Sequence, residues 1–504
     1  MTEETRKFLY DEDQYEIGAT EDIRDDNNIN KSSRITDVSQ SYIGTNSKNM
    51  DASPDINIRQ KGLDMSPFNS SRRTAWNRTF GPMQQGSLRG SIFALCAVAI
   101  GAGVLSLPYV LKQNGWILGT ILILIGAISG YFSMQMIIQR SIETNSKNFS
   151  ELSHLAGGKP LTILLQISIL SFMFGACVSY QIIITKLFVI CCNNFGVSPE
   201  ITGDPEHGIT TFKAVQCVIT TVCFIFPLSL AKSMSALRYV SIVSIGSILY
   251  TLIVMLVELP EYSAFYFNKD TFTYFSLNKE FFSGCSITFF SFTCQASILP
   301  IYSELVNPNE RRMMKVIGRS LIIDSIFYCS IALVGYFSTY DATTDLVIAR
   351  KLPGVDKDYA MTISCIAVIM VVLVSSPANY FPFKNTVNYM INGKGEVSTK
   401  LNVICTVIFC SCTCVLSIVF PKIHSALSIT GGFSSVNMCY LVPCKFIPRS
   451  QLFMFKLVIC YVKLSDKRWY QGRNLVYTIF FMTLSLIGWV SVVLTFVDIF
   501  QGNT

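Results

Sequence analysis

Two short stretches of the sequence combine helix-interrupting residues with groups that can bind a charged small molecule. One is GAGVLSLP at 101–108, and the other is FTCQASILP at 292–300. Glycine lowers the stability of a helix and proline removes one of its hydrogen bonds, so both runs favour an interrupted helix. The free N–H groups and carbonyl oxygens at such an interruption can bind a carboxylate and an ammonium group. These residue types therefore predict a binding site for a zwitterion.

The first run also has a second interpretation. Its two glycines, Gly101 and Gly103, cost a helix about 2 kcal/mol relative to alanine. Small residues also allow two membrane helices to pack closely, and that role would require no substrate. The second run favours the binding site, because it places the polar patch SFTCQ at 291–295 within an apolar stretch, with Pro300 about one turn beyond it. We therefore interpret the two runs as parts of one site.

The composition places both runs in a membrane. Half of the 504 residues are hydrophobic and 14% are charged, against about 25% in an ordinary soluble domain. Residues 1–86 hold 14 of the 33 acidic residues, so the rest of the chain has too few charges to cover a water-facing surface. The sequence therefore predicts an all-α polytopic membrane protein that lies in the lipid bilayer. It has no soluble basic face of the kind that binds nucleic acid.

Eleven apolar stretches are long enough to cross a bilayer, which requires roughly 20 residues per helix. They are 90–111, 116–138, 161–192, 214–231, 239–257, 281–303, 320–339, 359–383, 401–420, 423–444 and 475–497. Three of them contain one ionisable residue each, namely Lys186, Asp324 and His424. Lys186 lies near the end of the third span, so we expect its ammonium group to reach the membrane surface. The two interrupted helices are the first and the sixth, as expected for two inverted repeats of five helices.

The basic residues predict the orientation of the chain. With a cytoplasmic N-terminus, the inner segments carry 23 Lys and Arg and the outer segments carry eight, as the positive-inside rule requires. We predict a disordered cytoplasmic tail over 1–86 and an inverted-repeat core of about ten helices over 87–447. A cytoplasmic interfacial segment is predicted over 448–474. The eleventh helix and a short outer C-terminus follow over 475–504.

The 17 cysteines predict neither a metal site nor a cofactor. Nearly all lie in apolar runs, where a thiol packs as a small apolar group. Cys410, Cys412 and Cys414 would spread over more than half of the circumference of a helix, so they cannot converge on one metal ion. The predicted outer loops contain no cysteine, and the sequence therefore indicates no disulfide framework.

Three motifs resemble one known family. The runs IGAGVLSLPYVLKQNGW at 100–116 and FTCQASILPIYSEL at 292–305, followed by RRMMKV at 311–316, are similar to the first and sixth helices of the amino acid/auxin permease family. SSPANYFPFKNTV at 375–387 is similar to its eighth helix. The resemblance covers about residues 88–497 and points to the family's neutral amino acid transporters. It implies a LeuT-like fold, a 5+5 inverted repeat plus one helix, that moves amino acids by alternating access.

The resemblance also implies a substrate site. The backbone of residues 101–103 would receive the carboxylate of an amino acid, and carbonyl groups around residues 292–294 would receive its ammonium. Gln295 stands where related transporters often have His. The substrate-binding candidates are Gly101, Ala102, Gly103, Ser106, Phe292, Thr293, Cys294, Gln295 and Tyr180. Tyr180 also has a packing interpretation, because tyrosine in a membrane core commonly packs with one satisfied hydroxyl.

The resemblance departs from its sodium-coupled members at one position. These members carry Asn four residues before the first glycine, where this chain has Ala97. Sodium coupling is therefore disfavoured, and proton coupling or uncoupled exchange remains. The candidates for ion coupling are the hydroxyls of Ser375 and Ser376 for sodium and the carboxyls of Glu304 and Asp324 for a proton. Asp324 also has a structural interpretation, because it lies near the cytoplasmic boundary and could pair with Arg319.

Other classes of function remain as alternatives. An amino acid sensor that signals through its tail would have the same site, and a transporter of another small amine would have a similar one. A channel would show polar rings or a carbonyl filter along a continuous pore, and the sequence shows only a local patch. An enzyme would need convergent His, Asp or Glu side chains, or a nucleophile with a base, and the spans have no such motif. Both the plasma membrane and a vacuolar or lysosomal membrane remain open.

Overall fold

The computed structural model describes residues 86–146, 148–203, 208, 210–230, 237–268, 272–353, 358–392, 399–441 and 473–501. Within these ranges every regular element is a helix. The predicted disordered tail, apart from Gly86, lies outside the described residues. So does the predicted interfacial segment up to residue 472. Both assignments therefore stay predictions.

The first half of the described chain forms six principal helices. They are α1 (Leu88–Ala99), α2 (Ala102–Asn114), α3 (Trp116–Thr144), α4 (Phe149–Asn194), α5 (Thr211–Thr220, continued by a π-helical turn at Thr221–Ile225 and by Phe226–Ser229) and α6 (Leu237–Tyr266). A short helix, Pro199–Thr202, lies between α4 and α5. Inside α4, Gly158 has a φ of 67°, which divides the helix at a kink. Such a positive φ is readily adopted only by glycine.

The second half forms seven principal helices. They are α7 (Glu280–Ser291), α8 (Gln295–Glu304), α9 (Glu310–Thr339), α10 (Tyr359–Asn392), α11 (Thr399–Val419), α12 (Ile423–Thr430) and α13 (Arg473–Phe500). Two π-helical turns, Gly431–Ser435 and Asn437–Leu441, follow α12. Between α9 and α10 lie two short 3₁₀ helices, Tyr340–Ala342 and Val347–Ala349.

The first span is broken where the sequence predicts an interruption. Helix α1 ends at Ala99, α2 begins at Ala102, and the two axes differ by 56°. Gly101 precedes α2 with φ −134° and ψ −148°, far from the helical region. The glycine run therefore changes the direction of the first span instead of only providing a packing surface.

The sixth span is broken between α7 and α8. Phe292 and Cys294 have φ/ψ of −98°/9° and −128°/13°, so the helix is interrupted over residues 292–294. Pro300 lies inside α8 and not at the break. The interruption is therefore made by the polar patch itself.

The number of spans agrees with the predicted fold class. Among the described residues nine helices are long and apolar enough to cross a membrane, or ten if α1 and α2 form one bent span. The predicted stretch 423–444 corresponds to α12 and its π-helical turns, which the structure describes as far as Leu441. The total of eleven remains a prediction, because residues 442–472 lie outside the described residues.

The two broken spans lie at the centre of the helix packing. Helix α9 packs against α1, α2, α3 and α6, while α7 packs against α2, α12 and α13. Helix α10 packs mainly against α4 and α6. Large apolar side chains on the outer helix faces, such as Val257 and Ile322, are 75% and 62% exposed, as expected for surfaces that contact lipid.

Candidate functional site at the two helix breaks

The breaks in the first and sixth spans face each other. A Cβ atom added to Gly103, in the first turn of α2, would overlap Ser291 Oγ and lie 3.0 Å from Ser291 Cα. Ser291 is the last residue of α7. The absence of a side chain at Gly103 therefore allows the two breaks to come into backbone contact.

A tyrosine on α9 joins the two breaks. Tyr328 is fully buried, and its Oη lies 2.6 Å from the carbonyl oxygen of Ala99 and 3.0 Å from that of Ser291. These carbonyls belong to the last residues of α1 and α7, where a helix leaves its carbonyl groups without intrahelical partners. No sequence pattern indicated Tyr328, because a tyrosine in an apolar span most often packs without contacting a distant break.

Tyr180, a substrate-binding candidate that also has a packing interpretation, lies at the first break. A Cβ on Gly101 would lie 3.0 Å from Tyr180 Oη. Tyr180 belongs to α4 and is 8% exposed. The third span thus contributes a hydroxyl beside the glycine run, close to the free N–H groups at the start of α2.

The remaining substrate-binding candidates are buried around these contacts. Ala102, Phe292 and Thr293 are at most 4% exposed, and Thr293 Oγ1 donates to the carbonyl of Phe289 at 2.6 Å. Cys294 Sγ lies 3.5 Å from Met134 Sδ of α3. Gln295 Nε2 lies 3.5 Å from Ser133 Oγ, at the limit of a hydrogen bond.

Two of these side chains have buried polar atoms without a partner among the described residues. They are Ser106 Oγ and Gln295 Oε1, and both residues are fully buried. A buried polar atom normally has a hydrogen-bond partner, so these two atoms mark places where a substrate or water can bind.

The π-helical turns after α12 were not predicted to be part of the site. Cys439 Sγ lies 3.6 Å from Thr293 Oγ1, which places the second π-turn against the break in the sixth span. Asn437 of the same turn is fully buried, and its amide nitrogen and oxygen have no partner among the described residues. Asn437 is the one amide in the apolar stretch 423–444, and that position could have identified it.

Asp324 differs from its structural interpretation. Its side chain is 1% exposed, and neither carboxyl oxygen has a hydrogen-bond partner within the described chain. The expected pair with Arg319 is wrong, since Arg319 lies on a different face of α9 and lines a cavity with α1. Cys96 of α1, Cys294 of the second break and Tyr328 of α9 are titratable groups that interact with the carboxyl.

The other ion-coupling candidates lie elsewhere. Glu304 is exposed at the end of α8, about 15 Å along the helix from the break. Ser375 Oγ donates to the carbonyl of Val371 at 2.8 Å, and Ser376 is buried beside Cys177 of α4. The structure places these hydroxyls where α10 packs on α4, so their own helix and α4 are their immediate surroundings.

Lys186 is buried and paired with a carboxylate, so the expectation that its ammonium group extends to the surface is wrong. Its Nζ lies 2.7 Å and 2.9 Å from the two carboxylate oxygens of Asp345, in the segment between α9 and α10. His424 Nδ1, at the start of α12, lies 3.8 Å from the same carboxylate. Burial opposes ionisation of Asp345, but His424 and Lys186 together lower the pKa of its carboxyl to about 2. The ion pair therefore connects α4 to the segment 340–350, away from the two breaks.

Comparisons with known proteins concern the family and the fold of the chain. A family model described as transmembrane amino acid transporter protein matches residues 84–496. Among curated relatives, the sodium-coupled neutral amino acid symporter 2 of Danio rerio is 26% identical over 378 residues, which is 71% of this chain and 74% of that protein. Among solved structures, MhsT in complex with L-phenylalanine aligns with a TM-score of 0.50 and 15% identity, over 83% of this chain and all of MhsT. This last likeness concerns the fold alone.

Proposed function

Because this chain belongs to the transmembrane amino acid transporter family, we propose that its substrate binds between the broken first and sixth spans and crosses the membrane by alternating access. Transport of amino acids across a membrane, and not catalysis, is the activity of this family. The chain is an integral multi-pass membrane protein with a LeuT-like fold. The proposal concerns the position of the site, the coupling ion and the mechanism.

The contact between the two breaks supports this position most directly. Gly101 and Gly103 bring the start of α2 against Tyr180 and Ser291, so the free ends of two helices meet in one buried place. The N–H groups at the start of α2 carry the positive end of a helix dipole, which favours the carboxylate of an amino acid. The carbonyl groups of residues 292–294 provide acceptors for its ammonium group.

Side chains around the breaks would then select the substrate. Ser106 Oγ and Gln295 Oε1 are buried without a partner among the described residues, and a bound zwitterion would satisfy them. Gln295 is uncharged, so it offers no charged partner to an acidic or basic substrate side chain. These features favour a neutral amino acid.

We infer that a proton, and not sodium, is the coupling ion. Asp324 is a buried carboxyl without a partner in the described structure, one helical turn from Tyr328. An isolated carboxylate is costly to bury, so the protonated form is favoured while the residue is enclosed. Opening the site toward water would release the proton, which links its movement to the transport cycle. Sodium is the second candidate, since one relative is named as sodium-coupled and Ser375 and Ser376 could supply oxygen ligands.

Reconstitution of the purified protein tests the proposal. Proteoliposomes loaded with one unlabelled amino acid should take up the same labelled amino acid by counterflow, across a panel of neutral, acidic and basic substrates. We expect counterflow for neutral amino acids. A sensor would bind these amino acids without counterflow, and a transporter of other amines would show counterflow only with amines that lack the carboxylate. Fractionation of cells into plasma and vacuolar or lysosomal membranes identifies the host membrane.

A further inference from the structure

A cavity opens between the first and seventh spans at the end opposite to the Lys186–Asp345 ion pair. It has a volume of about 320 Å³ and lies between α1 and α9. It is lined by Arg89, Ile92, Phe93, Arg319, Ile322 and Ile323. Its surface is almost entirely apolar, so Arg89 and Arg319 border it mainly with the aliphatic parts of their side chains. The cavity plays no part in the proposed substrate site.

The two arginines are available to bind an anion. Arg89 and Arg319 form no ion pair or side-chain hydrogen bond with any other described residue, and Arg319 is exposed. Other cations of the chain, such as Lys186 and Arg350, are paired with carboxylates. Two arginines that border one apolar cavity favour a ligand whose charged group has several oxygen acceptors, as a phosphate has, and whose remainder is apolar.

The start of α1 strengthens this preference. Arg89 is the second residue of α1, and Ser87 caps the helix by accepting a hydrogen bond from the N–H of Gly90. The N–H groups of Leu88 and Arg89 have no intrahelical partner, and the helix dipole places partial positive charge there. The anion would therefore be bound by fixed charges and by oriented backbone dipoles together.

The apolar wall indicates what the anion is attached to. Phe93 and Ile322 are 41% and 62% exposed, and they lie one helical turn further along α1 and α9 than the arginines. A free inorganic anion would leave this apolar surface unused. An acyl chain would cover it, because apolar side chains at this depth contact hydrocarbon.

We propose that this cavity binds an anionic phospholipid. Its phosphate lies between Arg89 and Arg319, and one acyl chain follows Phe93 and Ile322. Basic pockets between membrane helices bind such headgroups on the cytoplasmic side, where the positive-inside rule places the start of α1 and where anionic lipids are enriched. The bound lipid would connect α1 to α9 below the first break and thereby restrain the cytoplasmic half of the first span.

The test uses the full-length protein in nanodiscs of phosphatidylcholine, with or without added phosphatidylserine. Thermal unfolding and native mass spectrometry measure lipid stabilisation and retained lipid. The matched control is Arg311→Gln/Lys315→Gln, which removes two exposed cations from the same helix α9 outside the cavity. We expect phosphatidylserine to raise the melting temperature of the native protein and of this control. In Arg89→Gln/Arg319→Gln the rise and the retained lipid should be lost.

Three results would overturn the proposal. The first is an equal loss in the control variant, which would mean a diffuse attraction between surface charge and lipid. The second is an unchanged rise in Arg89→Gln/Arg319→Gln. The third is a rise with glycerol phosphate added to phosphatidylcholine nanodiscs, which would mean that the ligand is a free phosphate and not a lipid. The single variants Arg89→Gln and Arg319→Gln give the same readout if the double variant does not fold. None of these measurements depends on the substrate, so this proposal and the proposed function can fail separately.

Discussion

Gly103 of α2 is in contact with Ser291 of α7, with no room for a side chain between them. A Cβ on Gly103 would overlap Ser291 Oγ, and Ser291 Oγ is itself held by a 2.9 Å hydrogen bond to the carbonyl of Ile287. Residues far apart in the chain thus meet at the point where both spans are broken. A side chain at Gly103 would push the two breaks apart, so substitutions at Gly103 and Ser291 test the contact.

We expect Gly103→Ala to reduce uptake strongly and to destabilise the protein by about 1–3 kcal/mol, the usual cost of overpacking a filled site. Uptake into proteoliposomes and thermal unfolding measure the two effects. Gly246→Ala is the control, because a Cβ at Gly246 in α6 meets no atom within 4 Å. The double variant Gly103→Ala/Ser291→Gly should recover stability, and failure to do so would show that this contact is not the cause.

Tyr328→Phe removes the hydroxyl that joins the two breaks. It leaves the carbonyl oxygens of Ala99 and Ser291 buried without that donor, at a cost of about 1–3 kcal/mol. We expect a lower melting temperature and slower uptake. The control is Tyr336→Phe on the same helix, whose hydroxyl lies 3.5 Å from the carbonyl of Thr273 and forms at most a weak bond. Equal losses in both variants would contradict a special role for Tyr328.

The sequence predicted the breaks better than the groups that hold them. Glycine and proline act on their own helix, so the run 101–108 was recognisable from local physics. The break in the sixth span nevertheless lies at residues 292–294 and not at Pro300, because a proline inside a membrane helix is tolerated when neighbouring groups satisfy its backbone. Local propensity therefore located the broken spans and left the position of the second break to tertiary contacts.

Partners that are distant in the chain were beyond the reach of sequence patterns. Lys186 and Asp345 are separated by 159 positions, and nothing near Lys186 indicates a carboxylate. A lone lysine near the end of a span is normally expected to extend to the surface. Tyr328 was missed for the same reason, since its acceptors belong to two other helices. The sequence shows the types of these residues but not the contacts that determine their roles.

We expect Lys186→Met to destabilise the protein by about 3–5 kcal/mol, because it leaves the Asp345 carboxylate buried without its main partner. The control is Lys279→Met, which breaks an exposed pair with Asp498 and should change the stability little. The double variant Lys186→Met/Asp345→Leu should be more stable than Lys186→Met. Thermal unfolding measures all three, and a double variant less stable than the single variant would contradict the interpretation.

The same pair predicts a pH dependence of stability. The pKa of Asp345 is lowered to about 2, below the value of about 3.9 for a free aspartate. The contribution of the ionised Asp345 carboxylate to the free energy of unfolding is therefore complete above about pH 4 and is lost as the pH falls toward 2. We expect the stability difference between the native protein and Asp345→Asn to stay constant from about pH 5 to 8 and to shrink below pH 4. A difference that changes steeply near neutral pH would contradict this assignment.

Asp324→Asn tests the proton. Asparagine has the same shape but cannot titrate, so we expect it to abolish accumulation driven by an inward proton gradient and to leave counterflow, which needs no net proton movement, largely intact. Glu304→Gln is the control, because Glu304 is exposed at the end of α8. If Glu304→Gln loses proton-driven accumulation while Asp324→Asn retains it, Glu304 of α8 and not Asp324 of α9 carries the proton, which contradicts our proposal.

The last prediction concerns sodium. Ala97 offers a methyl group where similar sodium-coupled transporters offer a side-chain oxygen, and sodium requires several oxygen ligands to replace its water. Ser375 and Ser376 lie on α10, which packs mainly against α4 and α6 and not against α1, where Ala97 lies. We therefore expect the initial rate of uptake at fixed pH to be unchanged when choline replaces sodium.

The experiment is best made on the native protein and on Ser375→Ala/Ser376→Ala together. If sodium is not bound, choline replacement leaves both proteins unchanged, and any rate difference between them is the same in either salt. In the opposite case, replacing sodium with choline steeply lowers the rate of the native protein, sodium alone restores it, and the double variant shows no such response. Sodium is then bound by these hydroxyls. That outcome would replace the proton with sodium as the coupling ion, and Asp324 would then have to be explained by a role other than coupling.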